Sequence, residues 1–175
     1  MSSELTFQSV LAALLLFFAA IRIYYRLAAA RSGDKASIRE SGLNVALRFV
    51  FGAGLIASLL AYIINPSWMA WSSLVLPSWA RWFGACLGIV ALLLLVWTHQ
   101  TLGRNFSATL HVRERHSLVT TGPYQWVRHP MYSSFYLLVL ALFLVSANWN
   151  LGLAWFSVIT GVMVTRLQQE EVLML

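Results

Sequence analysis

Cysteine is almost missing from this chain, and charge is scarce. Cys86 is the only thiol, which excludes a disulfide framework within the chain and any metal site built on thiolates. Its surroundings, FGACLGIVALLLLVW, predict a small buried apolar side chain. Charged residues make up 10% of the sequence against 59% hydrophobic, and the mean hydropathy is +0.72. So little polar surface cannot coat a water-soluble globule, and the chain belongs in a bilayer. The net charge of +6 and pI near 10.1 do not point to nucleic acid. The basic residues are scattered over short loops and span ends, which is a topology signal before it is a binding signal. Also missing is a basic stretch ahead of the first apolar run, whose positive charges follow it instead, so that run is expected to stay as an anchor and not be cleaved as a leader. Ionisable residues at mid-span and internal symmetry are lacking too, which argues against a transporter.

What is present is a series of apolar runs. A bilayer core of about 30 Å needs roughly 20 apolar helical residues, and five stretches are candidates: about 7–30, 43–64, 82–98, 131–146 and 151–165. The first carries Arg22 and Arg26 four residues apart on one face, where long side chains can snorkel. Arg48 lies inside the second, and all three arginines are expected to anchor their spans. The last two runs are short and are split by ANWN. They predict a helical hairpin with its tip at Asn148-Trp149-Asn150, the alternative being one re-entrant hairpin.

Charge orients the bundle. Arg31, Lys35 and Arg39 follow span one; Arg104, Arg113, Arg115 and Arg128 follow span three; Arg166 follows span five. The connection 65–79 holds three Trp and no Lys or Arg, and ANWN is uncharged. Five spans put every basic connection on one side, which the positive-inside rule makes cytosolic. The expectation is therefore an all-α integral membrane protein with its N-terminus outside and C-terminus inside. It divides into a three-span region, 1–98, and a second region, 99–175, of one cytosolic connection and a membrane hairpin.

That connection is the only long polar region. Its centre, HVRERHSLVTTGPYQWVRHP, has alternating or β-branched character at 116–121, a Gly-Pro turn, and a short aromatic stretch that stops at Pro130. Pro130 suits the first turn of a helix, where its missing N–H is not needed. The exposed amides of that turn carry a positive partial charge on which an anionic group can rest.

The run LGRNFSATLHVRERHSLVTTGPYQWVRHPMY, an apolar hairpin and RLQQEEVLML together resemble the isoprenylcysteine carboxyl methyltransferase family and, more loosely, the phospholipid N-methyltransferases. The resemblance runs from Leu102 to the end. It rests on H-x-L-V-x-x-G-x-Y, R-H-P-x-Y, a membrane hairpin and E-E in that order. The family's cofactor is the cytosolic molecule S-adenosylmethionine. The resemblance implies that His116, Leu118, Val119, Gly122 and Tyr124 line the cofactor, that His129, Pro130 and Tyr132 form a second wall, and that Glu170 and Glu171 close the pocket. Such residue types suit the ligand: carboxylates for a ribose diol, apolar faces for adenine, helix amides for the methionine carboxylate, and a ring face for the sulfonium. Methyl transfer needs no metal; positioning supplies most of the catalysis.

For a carboxylate acceptor no general base is required, and Arg128 or Arg166 can hold it in a bidentate fork. For an amine or thiol, His129 or a nearby carboxylate becomes a candidate base. Each arginine also reads as a positive-inside anchor, and Arg166 pairs with Glu170 at i, i+4. His99 and His111 are expected to be solvated or interfacial. Family members carry a cytosolic tail after E-E, with Phe-Gly, spaced Tyr and an Arg- and Pro-containing end, whereas this sequence stops at Leu175. The N-terminal half matches no motif, and acceptor choice is expected to depend on it. The acceptor is expected to be lipophilic, either a prenyl-cysteine or a small molecule. The rivals are a phospholipid, amine or thiol methyltransferase and a non-catalytic membrane scaffold.

Overall fold

The computed structural model of the chain describes residues 2–31, 42–102 and 121–174, with side chains placed for 3–28, 52–102 and 121–164. It contains five helices: α1 Ser2–Arg31, α2 Gly42–Ile64, α3 Ser78–Leu102, α4 Pro130–Ser146 and α5 Trp149–Met174. Two 3-10 segments, Pro66–Ser72 and Gly122–Gln125, complete the described residues. Each helix corresponds to one apolar run. By length and composition two of them can cross a bilayer alone, Ser3–Ala28 within α1 and Ser78–Leu102; the bent pair Gly52–Ile64 and Pro66–Ser72 makes a third if it is one broken span and not a re-entrant loop. At about 1.5 Å per residue α4 reaches about 25 Å, short of a full hydrocarbon core. It and the apolar part of α5, Trp149–Val164, are the shorter pair.

Chain breakers set the boundaries. Asn65 precedes Pro66, which disfavours helical backbone at Asn65 and ends α2 there. The Asn65 side chain accepts from the Ser67 amide at 3.0 Å and from the Ser67 hydroxyl at 2.7 Å. Beyond it the chain bends by 114° into the 3-10 segment.

The most extensive helix interface joins α3 and α4, and small residues permit it. Gly84 has no side chain where a Cβ would lie 2.6 Å from Leu144 Cβ and 3.1 Å from the Val145 amide. In lipid, where apolar burial alone does not drive helices together, such close approach supplies the packing. Helix α1 crosses both partners and delivers Phe7, Leu11 and Leu14 to a core completed by Leu142, Val145 and Leu151. Phe17, Leu93 and Phe156 are exposed, as suits a lipid-facing surface. Cys86 is exposed as well, contrary to the expected burial: it lies one position beyond Ala85, on the outer side of α3.

The hairpin tip is tighter than expected. Ala147 takes a left-handed conformation, φ 48° and ψ 41°, and the Asn148 side chain accepts from the Leu151 amide at 3.1 Å. Trp149 and Asn150 therefore belong to the first turn of α5 and not to a loop. The fully buried Asn148 also donates to the Met69 carbonyl at 3.2 Å and to the Ser72 hydroxyl at 2.8 Å, while the Leu74 amide donates to the Ala147 carbonyl at 2.7 Å. The two uncharged connections thus meet at one end of the bundle. An Asn148→Ala substitution strands these buried partners and is expected to lower stability by about 2–3 kcal/mol, measured by unfolding in mixed micelles.

At the same end Arg81, one residue before the expected third span, is buried. It pairs with Glu4 of α1, donates through Nε to the Val145 carbonyl at 3.0 Å and through Nη2 to the Tyr62 hydroxyl at 3.3 Å, and lies 3.9 Å from the centroid of Phe7. Glu4 offsets its charge locally.

Candidate functional site

The polar motif folds against the opposite end of α3. Gly122 has φ +62°, and a Cβ there would come within 2.7 Å of Thr101 Oγ1 and 3.4 Å of Trp97 Nε1. Only glycine meets both demands, a left-handed backbone and contact with the last turn of α3. Pro123 is buried, and its carbonyl accepts from the amides of Trp126 and Val127, both at 3.2 Å. Trp126 meets Trp97 edge-on with centroids 5.6 Å apart. Tyr124 is partly buried within this turn, and burial pushes its phenol up to about 12. It stays protonated and able to donate throughout the neutral range.

Arg128 and His129 are exposed, and the backbone of His129, φ −129° and ψ 66°, lies outside the helical region, which is disfavoured for the residue before a proline. Helix α4 then opens on the buried Pro130, and no side chain of the cap residue bonds to its first turn. The amides of that turn have no acceptor within the helix and form its positive end. The His129 ring lies 5.9 Å from that of Tyr132. Of the residues expected to line the cofactor, Gly122 and Tyr124 thus lie on the turn against α3, and His129, Pro130 and Tyr132, expected as the second wall, lie together at the start of α4.

In the antiparallel hairpin, Tyr136 hydroxyl meets Thr160 Oγ1 at 3.0 Å and Met163 Sδ at 3.8 Å. Continued along α5, this register carries the backbone of Arg166 to the level of Pro130, with Glu170 and Glu171 about one turn further on. The side chains of these three, like His116, Leu118, Val119 and His111 altogether, lie outside the described residues.

Two residues read as peripheral prove otherwise. His99 is buried, not solvated or interfacial, and stacks on Tyr25 of α1 with centroids 4.4 Å apart. Arg22 is half-buried; its guanidinium lies 5.4 Å from the Phe135 ring and its Nη1 3.9 Å from Met131 Sδ. It lines a cavity of about 220 Å³ among α1, α4 and α5, together with Leu15, Phe18, Tyr132, Val139 and Trp155. The signal in the sequence was a stripe, Leu15, Phe18 and Arg22 at i, i+3 and i+7, which puts Arg22 on the inward face of α1.

The fold and site define an all-helical integral membrane protein in which the Gly122–Gln125 turn packs on the last turn of α3 and an apolar cavity lies among α1, α4 and α5. The model of the isoprenylcysteine carboxyl methyltransferase (ICMT) family matches residues 84–175, just over half of the chain, and the chain belongs to that family. Membership makes it a membrane methyltransferase, and the family's methyl donor is S-adenosylmethionine. The match begins inside α3, ahead of Leu102 where the motifs start. Among curated proteins no sequence matches the chain.

Proposed function

We propose that the protein transfers a methyl group from S-adenosylmethionine to the carboxylate of a lipophilic acceptor of isoprenylcysteine type, at the cytosolic face of a five-span bundle. The observation that carries this reading is the start of α4: a helix end at Pro130 whose cap residue His129 makes no side-chain capping bond, with His129 beside Tyr132, adjoins an apolar cavity through Tyr132.

The residues fit the donor. Amides of the first turn suit the methionine carboxylate, and the rings of Tyr124 and Tyr132 suit a sulfonium. His116, Leu118, Val119 and Gly122 complete the cofactor loop, His129 and Pro130 the second wall, and Glu170 and Glu171 hold the ribose hydroxyls. Arg128 and Arg166 hold the acceptor at the reacting end. When bound, S-adenosylmethionine supplies an electrophilic methyl group. A carboxylate oxygen takes it without losing a proton, so the chain needs to orient and exclude water but not to supply a base.

Calorimetric titration of S-adenosylmethionine and S-adenosylhomocysteine into detergent-purified protein tests the reading. Saturable binding is expected, weakened about tenfold or more in His129→Ala and Glu170→Ala variants, as loss of a contact to a charged or polar ligand group should do. Absence of binding at millimolar ligand would overturn it.

A further inference from the structure

The outer face of α3 marks where lipid ends. Trp79 and Trp97 are exposed near its two ends. At the standard helical rise they stand about 27 Å apart along the axis, close to the thickness of a hydrocarbon core. Between them the exposed residues are Trp82, Phe83, Cys86, Ile89, Val90 and Leu93, all apolar or aromatic, whereas Ser78 and Gln100, just outside, are exposed and polar. Indoles gather at the boundary between acyl chains and head groups, so Trp97 marks that boundary at the end that carries the candidate site. Val90, Leu93 and Trp97, at i, i+3 and i+7, form one lipid-facing stripe, and the stripe continues past the helix. Trp126 of the motif turn meets Trp97 edge-on, with centroids 5.6 Å apart, and is 73% exposed. Val127 beside it is exposed as well. The amides of both donate to the Pro123 carbonyl, so neither carries an open backbone donor into the boundary.

We propose that Trp126 and Val127 form a membrane anchor: they insert where head groups meet acyl chains and hold the motif turn at that level. The partner is the bilayer itself. The turn is then fixed from two sides, by α3, where Gly122 packs on Thr101 and Trp97, and by lipid. The inference rests on the methyltransferase reading for its consequence and deepens it: a turn that lines the cofactor depends on lipid for its position, so donor affinity depends on Trp126. Trp126 is a positioning residue and acts on the donor through the turn.

The test reads the depth of the turn in phosphatidylcholine nanodiscs. Cys86→Ser removes the only thiol, and Val127→Cys then carries a fluorophore beside an intact Trp126. Its quenchers are nitroxides near the head-group end or the methyl end of the acyl chain, and iodide in water. The label at 127 is expected to be quenched most by the shallow nitroxide and shielded from iodide, while one on Ile89→Cys, about 12 Å deeper along α3 than Trp97, is quenched most by the deep nitroxide. Adding Trp126→Gln to the labelled chain should open the label to iodide, and Trp126→Phe should not. In the otherwise wild-type chain Trp126→Gln should weaken S-adenosylhomocysteine by about tenfold, the loss of one partly buried aromatic contact, and Trp126→Phe should restore most of it. A label at 127 that iodide reaches freely, or that neither iodide nor either nitroxide reaches, places the turn in water or against protein and overturns the proposal. Loss of lipid quenching in Trp126→Gln with unaltered affinity overturns the link to the donor. If the label is inserted but the chain binds no S-adenosylhomocysteine, the methyltransferase reading fails and the anchor stands.

Discussion

Gly122→Ala is expected to lower S-adenosylmethionine affinity by about a hundredfold while the helical bundle stays folded. Two costs combine at this residue. A left-handed backbone at φ +62° costs a residue with a Cβ about 1–2 kcal/mol. The new methyl group would also lie 2.7 Å from Thr101 Oγ1, and that hydroxyl cannot simply swing away, because it donates to the Trp97 carbonyl at 2.9 Å. Relieving such an overlap costs about 1–3 kcal/mol. A sum near 3 kcal/mol is about two decades of affinity if the turn must dock on α3 to form the cofactor wall. Calorimetry reads the affinity, and far-ultraviolet dichroism reads the fold. The double variant Gly122→Ala with Thr101→Ala removes the overlap and leaves the backbone strain, so it should recover to within about tenfold of wild type. Unaltered binding in the single variant would mean that this turn is not a cofactor wall.

The turn and the helix start of the candidate site were legible because they are built from residues whose backbone demands are local. Gly122 and Pro123 announce a turn, and Pro130 announces a helix start wherever they fold. The five apolar runs became five helices for a similar reason: backbone groups in hydrocarbon must be satisfied within the segment, so length and composition suffice. Facing is a different matter. A helix in lipid is apolar on both its lipid side and its packed side, and periodicity then says little about which residues turn inward. That is why Cys86 was expected inside and lies outside, and why His99 was expected at the surface and lies under Tyr25. Arg22 has the same origin, since a snorkelling arginine and a cavity-lining one occupy the same place in sequence. The hairpin tip was misjudged on polarity: Asn150 reads as loop, but the cap made by Asn148 starts the helix earlier.

Glu4→Gln is expected to destabilise the bundle by about 3 kcal/mol, more than removal of Arg81 itself. The asymmetry comes from burial. Arg81 has 8% of its side-chain surface exposed and Glu4 49%, so Gln at position 4 leaves a buried guanidinium without its counter-charge, the costlier half of such a pair to strand. The Val145 carbonyl, the Tyr62 hydroxyl and the Phe7 face still hold it, which keeps the loss at the low end of the usual range. Arg81→Met removes the buried charge, lets Glu4 turn to water and strands chiefly one carbonyl, for about 1–2 kcal/mol. The double variant should resemble Arg81→Met alone, a coupling that a double-mutant cycle in mixed micelles would measure. Equal losses in the two single variants would show that the pair contributes no charge compensation. Helix α1 is fixed separately at its other end, where Tyr25 stacks on His99 and Arg22 lies over Phe135, about 27 Å along the axis from Glu4 at the standard helical rise. Glu4→Gln should therefore lower stability without altering S-adenosylmethionine affinity. Loss of both would show that the α4 start is positioned by the Glu4–Arg81 pair and not by its own neighbours.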